Sequence, residues 1–152
     1  MEKAYKLLAL QEGISNRAAK ELIDRGVVYS EGKKVSVARG EMSGNAKFKI
    51  EKIAPIRVIF EDAFIMAVDK PAFMTSEEVA QQKKLPLLHR LDRETSGVLL
   101  LTKDEAFRAK AVNAFKKREV QKEYIAIVEG RVVEAVEINA PILTIKKGNT
   151  AH

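Results

Sequence analysis

The segment His89-Arg90-Leu91-Asp92-Arg93-Glu94-Thr95-Ser96-Gly97-Val98-Leu99-Leu100-Leu101-Thr102-Lys103-Asp104 changes character halfway along. From Gly97 to Leu101 it is a short apolar run, which reads as a buried strand. Ahead of the strand, Asp92, Thr95, Ser96 and Gly97 are residues that form local hydrogen bonds and accept unusual backbone angles, so a polar loop or turn precedes it. Asp92 stands in this loop between Arg90 and Arg93, and cations beside a carboxylate favour its ionised form. A nucleophile or an electrostatic stabiliser needs that form. Local chemistry leaves two readings open, a reactive loop and a plain turn. Glu94 adds a second carboxylate, but side chains two residues apart in a turn rarely face each other across a substrate, as a glycosidase pair must.

Working outward, the apolar runs 56–60 and 64–68, separated by Glu61-Asp62-Ala63, predict a hairpin, and Asp69-Lys70-Pro71 stops its second strand. Residues 77–82 form the best helical stretch before the loop. After it, residues 104–118 predict a helix with Phe107, Ala111, Ala114 and Phe115 on one face. Residues 122–128 predict a further strand, with Tyr124 on the face of Ala126 and Val128. Pro55 marks a boundary. Ahead of it, Leu7, Leu8 and Leu10 suggest a helix ended by Gly13. Ser15 or Asn16 caps a second helix carrying Ala18, Ala19, Leu22 and Ile23, which Gly26 closes. Residues 27–29, the turn Glu31-Gly32 and a returning strand at 35–37 follow, then alternation around Phe48 and Ile50. The expected class is α+β, with domains at 1–52 and 53–152.

The composition fits a soluble globular protein: 46% of residues are hydrophobic and 32% charged. The absence of cysteine excludes a disulfide scaffold and a thiolate metal site, and suits the reducing cytoplasm. No apolar run approaches the roughly 20 residues needed to span a membrane. Net charge is +6, and the excess lies at the front: residues 1–52 hold 11 Lys and Arg against 7 Asp and Glu, whereas 53–152 hold 16 against 14. Such a balance suits nucleic acid, whose phosphates attract cations irrespective of sequence.

The pattern His89-Arg90-Leu91-Asp92-x-x-Thr95-Ser96-Gly97, with its strand ending Thr102-Lys103-Asp104, resembles the catalytic segment of RluA-type RNA pseudouridine synthases. Ala67-Val68-Asp69-Lys70-Pro71 is similar to that family's strand ending in Lys-Pro. Residues 120–130, with Lys122-Glu123-Tyr124, are similar to its Lys-x-Tyr segment. Residues 14–28 and the basic side chains Arg17, Lys20 and Arg25 resemble the RNA-binding domain named after ribosomal protein S-four. The resemblance implies a mainly antiparallel catalytic domain that isomerises uridine to pseudouridine in RNA without a cofactor or a metal. Asp92 becomes the carboxylate that attacks the nucleoside, at sugar or base. Tyr124 packs on the uracil and helps move a proton. Arg90 contacts the flipped nucleotide, while His89, Thr95, Ser96 and Gly97 shape the loop. Arg17, Lys20 and Arg25 contact RNA, ribosomal RNA by analogy and transfer RNA as the alternative.

The chain departs from the pattern at Ala72-Phe73-Met74, where a glycine is usual after Lys-Pro, and at the end, where the third motif, Gly-Arg followed by His-Gln-Ile-Arg, is missing. The expectation is a fragment of a longer enzyme, with little activity by itself and with sheet edges near Tyr124 or Ile142 paired to something, such as a second copy. The rival readings are an RNA-binding protein without catalysis and a protein-interaction module with no salt-dependent affinity for RNA.

Overall fold

A serine and a glycine set the bounds of the second helix. In the computed structural model, which describes residues 1–141 and the backbone of 146, 147, 150 and 151, α1 (Ala4–Glu12) ends at Gly13 and α2 (Asn16–Arg25) follows at once. The Ser15 side chain accepts a hydrogen bond from the Ala18 N–H at 3.1 Å, satisfying a donor the helix cannot satisfy itself. Gly26 closes α2 at φ +84°, an angle that disfavours any side chain. By contact the chain divides into two compact units, Met1–Val120 and Gln121–His152.

The first unit continues with three short strands, β2 (Val28–Ser30), β3 (Lys33–Lys34) and β5 (Phe48–Ile50), in the order β3-β2-β5. Two further pieces, β1 (Glu2–Lys3) and β4 (Glu41–Met42), pair beside them. The returning strand expected at 35–37 lies earlier, because Glu31 and Gly32 both take positive φ (50° and 77°) and make a two-residue hairpin that sets Lys33 opposite Ser30. Ala4, Leu8, Ala19, Ile23, Val27 and Val28 form the buried centre of a first apolar cluster.

The sheet that carries the quoted segment has the order β6-β7-β8, with β6 Arg57–Glu61, β7 Ile65–Lys70 and β8 Gly97–Thr102, all antiparallel. The Asp62 carboxylate accepts the N–H groups of Phe64 and Ile65, both at 2.8 Å, which turns the chain between β6 and β7. Alternation puts Met66, Val68 and Lys70 on one face opposite Leu101, Leu99 and Gly97. There Val68, Leu99 and Leu101 are fully buried, against Val79 of α3 (Ser76–Lys83). The other face of β8 is buried unevenly, with Val98 56% exposed, Leu100 half-buried and Thr102 buried. A capping box starts α3: Thr75 Oγ1 accepts from the Glu78 N–H (3.1 Å) and Glu78 returns a carboxylate to the Thr75 N–H (2.7 Å). The helix expected at 104–118 is α4 (Glu105–Lys116), capped by Asp104; its predicted face is half-buried, with Phe107 stacked on Phe64. The architecture is α+β, as the sequence indicates.

In the second unit the strand expected at 122–128 does not form among the described residues. Its run Tyr124-Ile125-Ala126-Ile127-Val128 is apolar on both faces, and such a strand persists only between neighbours. Ile125 and Ile127 are fully exposed and no ladder supports the segment. Lys146–Lys147 and Thr150–Ala151 pair as a two-stranded antiparallel piece. The edge expected at Ile142 lies outside the described residues.

The two faces of β8 predict opposite responses to truncation. Leu99→Ala should cost about 2–5 kcal/mol of folding stability, and Val98→Ala about 0.5 kcal/mol or less; urea unfolding of the two variants checks this.

Candidate active site

The Lys-Pro end of β7 and the Gly97 start of β8 are the last paired rung of the sheet, Lys70 opposite Gly97. Gly97 has φ +122°, outside the range of ordinary side chains, which lets the chain leave the loop and enter the strand within one residue. The loop 90–96 therefore projects from the same end of the sheet as Lys70.

Lys70 is fully buried. Its ammonium donates to the carbonyl oxygens of Pro71 (3.0 Å), Met74 (2.7 Å) and Arg93 (3.2 Å). Burial pushes the ammonium below the usual lysine range, and the carboxylates of Asp92 and Glu78 oppose that shift. The Phe73 N–H also donates to the Arg93 carbonyl, at 2.7 Å. On the other side of Asp92, the buried Ser76 hydroxyl both accepts from the Leu91 N–H and donates to the Leu91 carbonyl, each at 2.9 Å. The Asp92 carbonyl accepts from the Thr95 N–H at 3.1 Å. Asp92 is therefore an exposed residue whose two neighbours in the chain are pinned to buried groups. This arrangement holds the backbone around Asp92 in place while leaving its carboxyl group open to solvent.

The arginines beside Asp92 do not pair with it. Arg90 Nε reaches Glu77 at 2.9 Å, and Arg93 Nη1 donates to the Asp24 carbonyl at 3.0 Å. Glu94 pairs with Lys34, whose ammonium holds the Glu94 carboxyl below the usual range, so it makes no carboxylate dyad with Asp92.

His89 Nε2 accepts the Leu100 N–H at 3.2 Å and its ring stacks on Phe115, centroids 5.1 Å apart. It helps close the outer edge of β8, where Leu88 N–H also bonds the Leu100 carbonyl. Thr95 is half-buried and Ser96 exposed in the same loop. On α2, Arg17 pairs with Glu21 at 3.0 Å, Lys20 sits 4.3 Å over the Tyr5 ring, and Arg25 reaches Glu78 at 2.6 Å. Burial raises Glu78, but the Thr75 N–H and the Arg25 charge outweigh it and leave the carboxyl below its usual range. Arg25 is thus engaged within the protein. Tyr124 belongs to the second unit, outside any strand and 63% exposed.

Three positions that hold this loop escaped the sequence reading: Lys70 as a group in its own right, Phe73 and Ser76. Lys70 had a signal, since in Ile65–Lys70 it shares the alternation of Met66 and Val68 and must point inward. A lysine on an apolar face needs acceptors around it. If it fixes the loop, Lys70→Met should destabilise the fold by about 1–3 kcal/mol, the cost of orphaned buried carbonyls. It should also speed tryptic cleavage after Arg93 in the native protein; unchanged cleavage would show that the ammonium does not hold the loop.

The model of the family described as RNA pseudouridylate synthase matches residues 67–151, which include both sides of this loop. An "Uncharacterized RNA pseudouridine synthase" of Helicobacter pylori is 55% identical over 148 residues, covering 96% of this chain and 61% of that protein. "Ribosomal large subunit pseudouridine synthase C" of Rickettsia prowazekii is 35% identical over 60% of this chain and 36% of its own length. "RNA pseudouridine synthase 1" of Arabidopsis thaliana is 33% identical over 60% of this chain and 31% of its own. The chain thus spans about three-fifths of the length of the Helicobacter relative. With the matched span covering more than half of the chain and including the loop of Asp92, the chain belongs to the RNA pseudouridylate synthase family, in the RluA-type branch that residues 89–104 resemble.

Proposed function

We propose that the protein converts uridine to pseudouridine in RNA, with Asp92 as nucleophile. The observation that supports this most is the Asp92 carboxylate itself, exposed on a loop whose flanking peptides are held by Lys70, Phe73 and Ser76. The reaction is an isomerisation. The bond from ribose C1′ to uracil N1 breaks, the freed base turns, and C5 bonds to C1′; the hydrogen on C5 leaves as a proton and N1 gains one. Nothing is oxidised or reduced. Asp92 provides the electron pair that carries the nucleoside through the cleaved state, by attack at C1′ or on the ring. Reaching either atom requires the nucleotide to leave the RNA stack, and the exposed Asp92 is open to a nucleotide so extruded. Arg90, exposed next to Asp92, is the guanidinium that contacts the flipped nucleotide, exchanging its surface partner Glu77 for it. Tyr124 stacks on the uracil and relays a proton.

Residues 1–52 act in this reading as the RNA-binding domain, with Arg17 and Lys20 toward phosphate. Arg25 contributes at the margin of its Glu78 pair. The substrate class is ribosomal RNA, because the Rickettsia relative and others carry the large ribosomal subunit in their names. The reducing cytoplasm, where such RNA resides, accords with a chain free of cysteine. Among the described residues no helix is long and apolar enough to cross a membrane.

In the full-length protein, Asp92→Asn should lower pseudouridine formation by a factor of at least about 1,000, as expected when a covalent nucleophile is lost, with RNA affinity unchanged. Release of tritium from RNA labelled at uridine C5 measures it. Turnover by the Asn variant at the parent rate would show that Asp92 is not the nucleophile. Reversing Arg17 and Lys20 to Glu should weaken RNA binding regardless of sequence and reduce the slope of log affinity against log salt by about 1 to 2, read by titration at several salt concentrations.

A further inference from the structure

We propose that residues 24–34 of the N-terminal region are a positioning part of the active site: through the Asp24 carbonyl and the Lys34 ammonium they hold Arg93 and Glu94, the residues that directly follow Asp92. This inference rests on the reading of Asp92 as the reacting group, and gives the N-terminal region a role in the chemical step beyond tethering RNA.

Four observations converge on it. Arg93 Nη1 donates to the Asp24 carbonyl at 3.0 Å, near the end of α2 where the last carbonyls of a helix lack partners of their own. Lys34, on β3, pairs with Glu94. Gly26 stands between them: a Cβ placed there would lie 2.7 Å from Lys34 Cε and 2.8 Å from its Nζ, so the end of the lysine side chain passes close over the end of α2 on its way to Glu94. Phe73 takes φ +66°, an angle costly for a bulky residue, while its N–H bonds the Arg93 carbonyl and its side chain packs on the apolar cluster of the N-terminal region. The same short stretch after Asp92 is thus held from the sheet by Lys70 and from the N-terminal region by Asp24 and Lys34.

An exposed pair such as Lys34 and Glu94 contributes little to global stability. Its effect lies in orientation. Turning the Arg93-Glu94 peptides would carry Asp92 with them, and reactions that depend on a near-attack geometry lose rate when the reacting group shifts even slightly. A tether for RNA would alter the concentration of substrate needed, whereas a positioning contact alters the rate at saturation.

The test uses the full-length protein and four forms: parent, Lys34→Glu, Glu94→Lys and the double exchange. Pseudouridine formation is measured at saturating RNA, with KM alongside, and amide hydrogen exchange is followed across residues 89–97. Each single reversal should lower the saturating rate roughly three- to tenfold, the size an exposed pair can transmit, and quicken exchange in the loop. The double exchange should restore both. Lys33→Glu, which changes charge equally on the neighbouring residue, should leave exchange in the loop as it is. Single variants that match the parent in rate at saturation, or a double exchange no better than the worse single, would overturn the inference. If the parent forms no pseudouridine, the proposed function fails on its own, and the exchange data still decide this point: a loop equally protected in all four forms overturns it, and loss with recovery supports it.

Discussion

A lysine ammonium inside an apolar cluster is unfavourable unless acceptors surround it. Lys70 meets that condition with carbonyl oxygens from three separate places, Pro71, Met74 and Arg93. Because these oxygens belong to the turn after β7 and to the loop before β8, satisfying one charge fixes the relative position of both. The remainder of the site follows from it. The turn delivers Thr75 to cap α3 and Ser76 to grip Leu91, and the loop leaves the Asp92 side chain without a hydrogen bond or ion pair among the described residues. Rigid backbone and free side chain are two outcomes of one arrangement.

That arrangement has a local cost. The chain must turn sharply after Pro71 so that Met74 can face Lys70, and the sharpest angle falls on Phe73, in the stretch where the resembled pattern places a glycine. A glycine would take φ +66° without strain. Phenylalanine instead strains the backbone by on the order of 1–2 kcal/mol, offset by burying its ring against the N-terminal cluster. Phe73 thus makes this corner a packed junction with the N-terminal cluster.

Much of this was legible in the residues. Ser15, Gly26 and Asp104 mark helix ends because capping depends on neighbours within a turn, and the hairpin at Asp62 is equally local. The returning strand after Gly32 was misplaced by two residues, since the turn type, not the apolar pair Val35 and Val37, sets the register. The likeness of residues 89–104 to a known family marked the loop, but not the partners of its side chains. Arg90 and Arg93 adjoin Asp92 in sequence and bind elsewhere, while Lys70, 23 positions before Arg93, holds the Arg93 carbonyl from the sheet end. Contacts set by strand pairing over such separations leave no local trace. The 122–128 segment shows the converse: its apolar pattern is plain, yet a strand is a property of a pair, and no described partner makes the ladder.

The account stands or falls on whether the loop around an exposed aspartate is as fixed as the core behind it. Native-state hydrogen exchange at the amides of Phe73, Leu91 and Thr95, the donors that pin Arg93, Ser76 and Asp92, measures this directly. Protection comparable to that of Leu99 and Leu101 in β8, lost only when the sheet opens, is the result expected. Exchange of those amides at the rate of an unprotected loop, with β8 still protected, would contradict it.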